Sequence, residues 1–292
     1  MRQHRSKSLA RSLALVMLLL FVAAPFGCGD SPGGTSDGDG NGDGNGSGSV
    51  ISMMYKVPRD ALAFDFTDVA AVRADGDLGE LYDAYQDDIE SECDLLGISP
   101  DDVDREGVHL GATGSVQILE GRFDLDGVRN ELKDNGYEKG EYKRIETWDS
   151  STADDEMKAV ALTSKGCIIL ASSIDRVTDC IDAINGDEDS LGDDEGFSAV
   201  VGRLPAGLVV HVYATAGYEG CEAYGLSVTK NDLNSRRLTQ VFLFVDEDTA
   251  GSRRDDIEHD FREYYEQESL EVTLDGRYVV LSVVSNTNTL PV

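Results

Sequence analysis

Residues 61–67 read Ala-Leu-Ala-Phe-Asp-Phe-Thr, and residues 78–96 read Leu-Gly-Glu-Leu-Tyr-Asp-Ala-Tyr-Gln-Asp-Asp-Ile-Glu-Ser-Glu-Cys-Asp-Leu-Leu. In the first stretch Leu62, Phe64 and Phe66 recur at every second position, which predicts a β-strand. In the second stretch apolar residues recur every three or four positions and acids fill the opposite side, which predicts an amphipathic helix. A strand followed by a helix is the start of an α+β pattern.

The pattern continues with two strands, a short helix and another strand. The predicted strands cover residues 108–113, 115–119 and 142–148, and the helix begins at Asp124 and runs through Leu132. The order strand, helix, strand, strand, helix, strand is that of a ferredoxin-like module, in which helices cover one face of an antiparallel sheet.

The second half of the chain repeats this order more loosely. Its predicted elements are strands at 159–163, 167–171, 208–214, 223–229 and 238–245, helices at 174–184, 197–204 and around Ile257, and a C-terminal hairpin over 270–284. We therefore expect two ferredoxin-like modules with antiparallel sheets, residues 50–153 and 154–292, each with helices on one face. A hairpin through residues 150–156 would instead fuse the two sheets.

The N-terminus has the features of an export signal. Residues 1–27 contain four basic residues and no acid, and an apolar core covers residues 13–24, which is too short to span a membrane comfortably. The following Gly27-Cys28 resembles the lipobox of bacterial lipoproteins, in which the Cys is lipidated and becomes the new N-terminus. We predict a signal peptide at 1–27, a lipid on Cys28 and thus a membrane as partner; ordinary cleavage and an uncleaved anchor are the alternatives.

Residues 28–49 predict a flexible linker between the lipid and the folded region. After Cys28 the segment consists of Gly, Asp, Asn, Ser, Thr and Pro, so it offers no apolar side chain to bury. Asp37, Asp39 and Asn41 match the early spacing of a calcium-binding EF-hand loop. Gly48 stands where that loop needs a Glu, so no metal site is predicted.

The charge of the chain is strongly acidic. Its net charge is -31, and removal of the four positive charges of residues 1–27 leaves -35. Such a charge repels the phosphate backbone, so nucleic acid is excluded as a partner. Solubility explains the acidity, and adaptation to salty water is the sharper alternative.

The sequence contains no recognised catalytic or cofactor motif. It has no Gly-x-Ser-x-Gly elbow, no phosphate-binding Gly-x-x-x-x-Gly-Lys-Ser/Thr loop and no His-Glu-x-x-His metal site. His109 and His211 fall in predicted strands, where a hydrogen-bonded sheet residue is the expected role, and the paired carboxylates fall at helix caps and loops. No catalytic, cofactor-binding or metal-binding residue is predicted.

Cys221 lies in a polar, glycine-rich connector, where packing does not explain it. In an oxidising compartment we expect it in a disulfide. Cys180 is the favoured partner and Cys93 the next. Tyr218 and Tyr224 flank this connector, and a recognition surface there is the alternative use of the segment.

Four short stretches resemble uncharacterised lipoproteins of environmental bacteria. They are Val-Pro-Arg-Asp-Ala at 57–61, Gly-Ile-Ser-Pro-Asp-Asp-Val at 97–103, Leu-Glu-Gly-Arg-Phe-Asp at 119–124 and Leu-Pro-Ala-Gly at 204–207. The resemblance implies a cell-envelope location and no enzymatic activity. We therefore expect a membrane-anchored envelope protein with a non-enzymatic binding or structural role, on the periplasmic or extracellular face. A solute-binding lipoprotein and an envelope hydrolase with an unrecognised site are the alternatives.

Overall fold

A computed structural model describes residues 46–150, 157–163, 166–232, 235–262 and 269–286. The strands in these ranges are β1 (Ala61–Thr67), β2 (Val103–Gly111), β3 (Gly114–Gly121), β4 (Glu138–Tyr142), β5 (Ile145–Asp149), β6 (Ala159–Leu162), β7 (Cys167–Ala171), β8 (Val209–Tyr213), β9 (Cys221–Asp232), β10 (Ser235–Phe244), β11 (Leu270–Asp275) and β12 (Tyr278–Asn286). The α-helices in the same ranges are α1 (Gly46–Met54), α2 (Val69–Ala74), α3 (Gly79–Leu96), α4 (Leu125–Asp134), α5 (Ile174–Asn185), α6 (Glu195–Val201) and α7 (Glu247–Arg262).

All twelve strands form one antiparallel sheet. Their order across it is β11-β12-β10-β9-β8-β1-β2-β3-β7-β6-β5-β4. The first strand of the chain, β1, lies near the middle, where Phe64 pairs with His109 of β2 on one side and with Val212 of β8 on the other. The α+β class is confirmed, and the chain builds a single large antiparallel sheet with helices.

The prediction of two ferredoxin-like modules with separate sheets is wrong. β1 belongs to the predicted first module and β8 to the second, yet they are neighbours in the sheet. Strands β5 and β6 also pair, with Trp148 opposite Val160, so a hairpin joins the two halves there as well. Pairing on both sides of β1 satisfies backbone groups that separate sheets would leave at exposed edges. The predicted boundary at 153–154 lies in residues 151–156, outside the described residues.

Helices cover both faces of the sheet, and the prediction of one covered face is therefore wrong. Along β3, Ile118 packs into one apolar cluster and the next residue, Leu119, packs into another. Because side chains alternate along a strand, these clusters lie on opposite faces. The first face carries α1, α5 and α6. The second face carries α2, α3 and α4 over one end of the sheet and α7 over the other.

The end of the predicted linker is folded. Helix α1 begins at Gly46, and it buries Val50, Met53 and Met54 in the first-face core. The contact is close, because a Cβ added to Gly107 of β2 would lie 2.6 Å from Sδ of Met53. The predicted linker therefore overlaps the folded region at residues 46–49, and its preceding part, 28–45, lies outside the described residues. No helix in the described ranges is both long and apolar enough to cross a membrane.

Candidate binding site

The second face of the sheet has a polar interruption at its centre. One cross-strand row can be followed through every strand by its pairing. From β4 to β11 it reads Lys139, Trp148, Val160, Leu170, Gln117, Val108, Asp65, His211, Leu226, Gln240, Leu281 and Val272. Polar side chains thus occupy the middle of a row whose two ends are mostly apolar. The helices of the second face cover those apolar ends, α3 and α4 on one side and α7 on the other.

Asp65 and His211 form a pair at the centre of this row. They lie opposite each other in the β1–β8 ladder, and Nδ1 of His211 is 2.6 Å from Oδ1 of Asp65. The side chain of Asp65 is 18% exposed and that of His211 is 15% exposed. Solvent therefore reaches the pair, although most of its surface is covered.

Glu106 lies beside this pair on β2, diagonally across from Asp65. Its carboxylate accepts a 2.5 Å hydrogen bond from Nε2 of Gln117 on β3. Burial raises the pKa of Glu106 to about 7, the Gln117 hydrogen bond opposes the rise, and the nearby acids Glu92, Asp65 and Asp88 add to it. No Lys or Arg in the described part of the chain forms an ion pair with Glu106, so its negative charge is poorly compensated.

Two polar atoms next to Glu106 are buried without a hydrogen-bond partner in the described structure. They are Oε1 of Gln117, whose side chain is 94% covered, and the hydroxyl of Tyr85 on α3. Burial raises the pKa of Tyr85, and the Glu106 charge is the next contribution. Buried polar atoms are almost always hydrogen-bonded, so these two require an explanation. We call Asp65, Tyr85, Glu106, Gln117 and His211 the polar site.

Aromatic side chains border the polar site. Tyr213 follows His211 on the same side of β8, and its ring stacks on Tyr224 of β9 at a centroid distance of 5.7 Å. Tyr224 also donates a 3.0 Å hydrogen bond to Gln240 and packs on Phe242. Tyr224, a member of the predicted recognition surface, therefore packs beside the polar site.

The hydrogen bonds of the Asp65–His211 pair bear on the chemistry that the polar site could perform. An Asp–His pair can act as a general base when a nucleophile lies next to the His. In the described residues the hydrogen bonds of His211 reach Asp65 and no Ser, Thr or Cys. No cluster of three or more His, Cys, Asp or Glu in the same ranges could hold a metal ion.

A second polar cluster lies on the first face, with His109 and Arg176 buried and Asp60 partly exposed. His109 of β2 is fully buried, with Nδ1 3.3 Å from Arg176 of α5 and Nε2 3.5 Å from Asp60. A Cβ on Gly111 would lie 2.7 Å from both His109 and Arg176. The Arg176–Asp60 ion pair and this close packing explain the cluster as a structural contact between β2 and α5.

A surface cleft of about 340 Å³ lies elsewhere in the described structure. Its lining residues are Arg59, Asp194, Glu195, Gly196, Glu222 and Arg277. Its cations are paired within or beside the cleft, Arg59 with Asp194 at 3.4 Å and Arg277 with Glu222 at 3.5 Å. Paired surface charges explain this cleft without a ligand.

The structure gives different outcomes for the predicted site residues. Cys28 lies outside the described residues. The predicted disulfide between Cys180 and Cys221 is wrong, because both are free thiols and they lie on opposite faces of the sheet. Cys180 points from α5 into the first-face core, and Cys221 packs beside the second-face cluster under α7 and donates to the carbonyl of Ala223. His109 and His211 occupy strands and make polar contacts, as predicted.

Comparisons with known proteins show a shared fold and do not indicate an activity. No protein-family model matches the chain. It is 29% identical over 178 residues to the uncharacterized protein MJ0635 of Methanocaldococcus jannaschii, and the match covers 58% of this chain. The chain spans 61% of the length of that relative. The solved crystal form III of TP0453 matches with a TM-score of 0.54 at 11% identity, over 82% of this chain and 95% of that chain. At that identity the likeness concerns the fold.

Proposed function

We propose that this chain is a lipid-anchored protein of the bacterial envelope that binds a small ligand and performs no chemistry itself. The envelope location is supported by the signal-like residues 1–27 and by Gly27-Cys28, with the linker joining the lipid to the fold. The acidic charge supports a partner that is not a nucleic acid.

The polar site is the observation that carries the binding role. A purely structural sheet face is more stable when such a position holds apolar residues, because burying a carboxylate costs free energy that partial pairing does not recover. Glu106 and Asp65 are nevertheless diagonal neighbours on β2 and β1, between two apolar clusters. Places where a sequence departs from the rules of stable packing are often functional. Binding is therefore favoured over a structural role.

An envelope hydrolase is the second candidate, and the Asp65–His211 pair is the observation that favours it. The pair has the short contact that holds a catalytic His in one orientation. Among the described residues no Ser, Thr or Cys hydrogen-bonds to His211, and this candidate is therefore second. A His211→Asn variant that loses a hydrolytic activity of the wild type would reverse this order.

The binding role is tested by extracting the ligand. The full-length protein is purified from envelopes, denatured, and the released small molecules are identified by mass spectrometry. We expect a compound in the wild-type extract that the Asp65→Asn/Glu106→Gln double variant lacks. The matched control is Glu222→Gln/Glu271→Gln, which removes two acids outside the polar site and should retain the compound. Identical extracts from all three proteins would contradict the proposal.

The lipid anchor is tested separately. Radiolabelled palmitate should enter the wild-type protein and not Cys28→Ser. Equal labelling of both proteins would show that Cys28 is not the lipidated residue.

A further inference from the structure

We propose that the polar site binds a primary ammonium group, with Glu106 as its counter-ion and with Gln117 and Tyr85 as hydrogen-bond acceptors. This inference rests on the proposed binding function and names its ligand class.

The unpartnered atoms of the polar site indicate that the ligand must donate hydrogen bonds. Gln117 uses Nε2 to hold Glu106 and keeps Oε1 free, and the Tyr85 hydroxyl has no partner. Gln117 is only 6% exposed, so bulk water does not satisfy it. A carboxylate oxygen, an amide oxygen and a phenol oxygen can all accept a hydrogen bond. A primary ammonium group presents three N–H donors, one for each of these acceptors.

The negative charge of the site indicates that the ligand is a cation. Glu106 stands with Asp65, Glu92 and Asp88 around it, and no described Lys or Arg pairs with it. Asp65 is paired with His211, and Glu92 accepts a hydrogen bond from Ser91. A cation placed against Glu106 would supply the missing compensation, and hydrogen bonds between ionised partners are the stronger kind.

The acceptor types favour an organic cation over a metal ion. The described residues contain no group of three carboxylate, imidazole or thiolate ligands suited to a metal. The ring of Tyr85, next to Glu106, stacks on Tyr82 at a centroid distance of 6.2 Å, which gives an apolar surface for the carbon chain of an amine.

The test compares two cations of equal charge. The full mature chain is titrated by calorimetry with n-butylammonium chloride and with tetramethylammonium chloride, in phosphate buffer at pH 8.0 and constant ionic strength. Tetramethylammonium carries the same charge and has no N–H donor. We expect saturable binding of n-butylammonium and at least tenfold weaker binding of tetramethylammonium. Equal binding of the two, or binding of neither, overturns the inference.

Variants locate the site. Glu106→Gln keeps the shape of the side chain and removes its charge, and Gln117→Leu removes the free acceptor. Each should weaken n-butylammonium binding at least tenfold, while Glu271→Gln, an equal loss of charge on exposed β11, should not change it. Unchanged binding in Glu106→Gln overturns the inference. The comparison of the two cations on the wild type decides the matter if a variant fails to fold.

The two experiments distinguish a failure of the ammonium inference from a failure of the proposed binding function. If the wild-type extract contains a compound that the double variant lacks and that compound has no amine, the binding function stands and the ammonium assignment is wrong. If the extracts are identical and n-butylammonium still binds through Glu106, the ammonium inference stands and the proposed role of carrying a small ligand is contradicted.

Discussion

The guanidinium of Arg176 donates two hydrogen bonds to the carboxylate of Asp60, at 3.0 and 3.2 Å, although 116 residues separate them in the chain. Asp60 directly precedes β1, and Arg176 lies in the first turns of α5. The Arg176 side chain is almost fully buried. The pair therefore fastens the start of the central strand to a helix of the other half of the chain.

We predict that Asp60→Asn lowers the free energy of unfolding by about 3 kcal/mol, because it leaves Arg176 buried with its charge poorly compensated. Asp179 contacts the same guanidinium at 3.2 Å but is more exposed, so Asp179→Asn should cost less than about 1 kcal/mol. Urea unfolding of both variants measures the difference. Equal losses would show that Asp60 has no special role.

The lowered pKa of the buried His109 side chain indicates that this residue destabilises the folded chain in mild acid. Burial, and then the charge of Arg176, lower the pKa of His109 to about 4, from about 6.5 in the unfolded chain. The unfolded chain therefore takes up the proton first as the pH falls. The contribution of His109 to the free energy of unfolding should therefore drop by about 3 kcal/mol between about pH 6.5 and pH 4, while Glu106 contributes in the opposite direction. In urea unfolding, the free energy of the wild type minus that of His109→Gln should fall from pH 6.5 to 4.5, and a difference that does not change with pH would contradict the assignment.

Glu106 predicts the opposite pH dependence. The pKa of Glu106 is raised to about 7 in the folded chain, mainly by burial, whereas the usual value is 4.5. The folded chain therefore holds this proton more tightly, and stability declines as the pH rises from about 4.5 to 7. Glu106→Gln should raise the free energy of unfolding by about 3 kcal/mol at pH 8 in amine-free buffer, and by little at pH 4.5. Glu271→Gln should show no such pH-dependent gain.

The contact between α1 and β2 predicts a coupling between two substitutions. Met53→Ala should cost about 3 kcal/mol, because it empties a fully buried site. Gly107→Ala should also destabilise, since its Cβ would press on Sδ and Cγ of Met53. In the double variant the added methyl enters the space that Met53 leaves. Its cost in chemical denaturation should be smaller than the sum of the single costs, and strict additivity would mean that the two sites do not touch.

The β4–β5 turn predicts a stabilising substitution. Lys143 and Arg144 both have positive φ, at 48° and 69°, a region that favours Gly over other residues. Lys143 is held there by Asp182 and Asp187, both at 2.7 Å, whereas Arg144 is exposed. Arg144→Gly should therefore raise the free energy of unfolding by about 0.5–1 kcal/mol. Arg122→Gly, an exposed residue without positive φ, is the control and should bring no gain in the melting temperature.

Local sequence patterns predicted the elements well. The apolar stripe of Ile174, Val177 and Ile181 predicted α5, and the alternation in residues 61–67 predicted β1, because both patterns depend on neighbours a few residues away. The polar site was missed for the same reason. Asp65 between Phe64 and Phe66 has the pattern of a solvent-facing position, and nothing local indicates that helices also flank that face or that Glu106 and Gln117 lie across the adjoining strands.

The sequence by itself determined the α+β class, most strand and helix positions, the acidic charge and the absence of recognised catalytic motifs. Only the tertiary structure decided that the strands form one sheet and that helices cover both of its faces. It also placed Cys180 and Cys221 on opposite faces, and Asp65, Glu106 and His211 on three adjacent strands. The physical reason is that hydrophobic periodicity reports which side of an element is buried. Which strand lies beside which depends on satisfying backbone hydrogen bonds between segments far apart in the chain, such as β1 and β8.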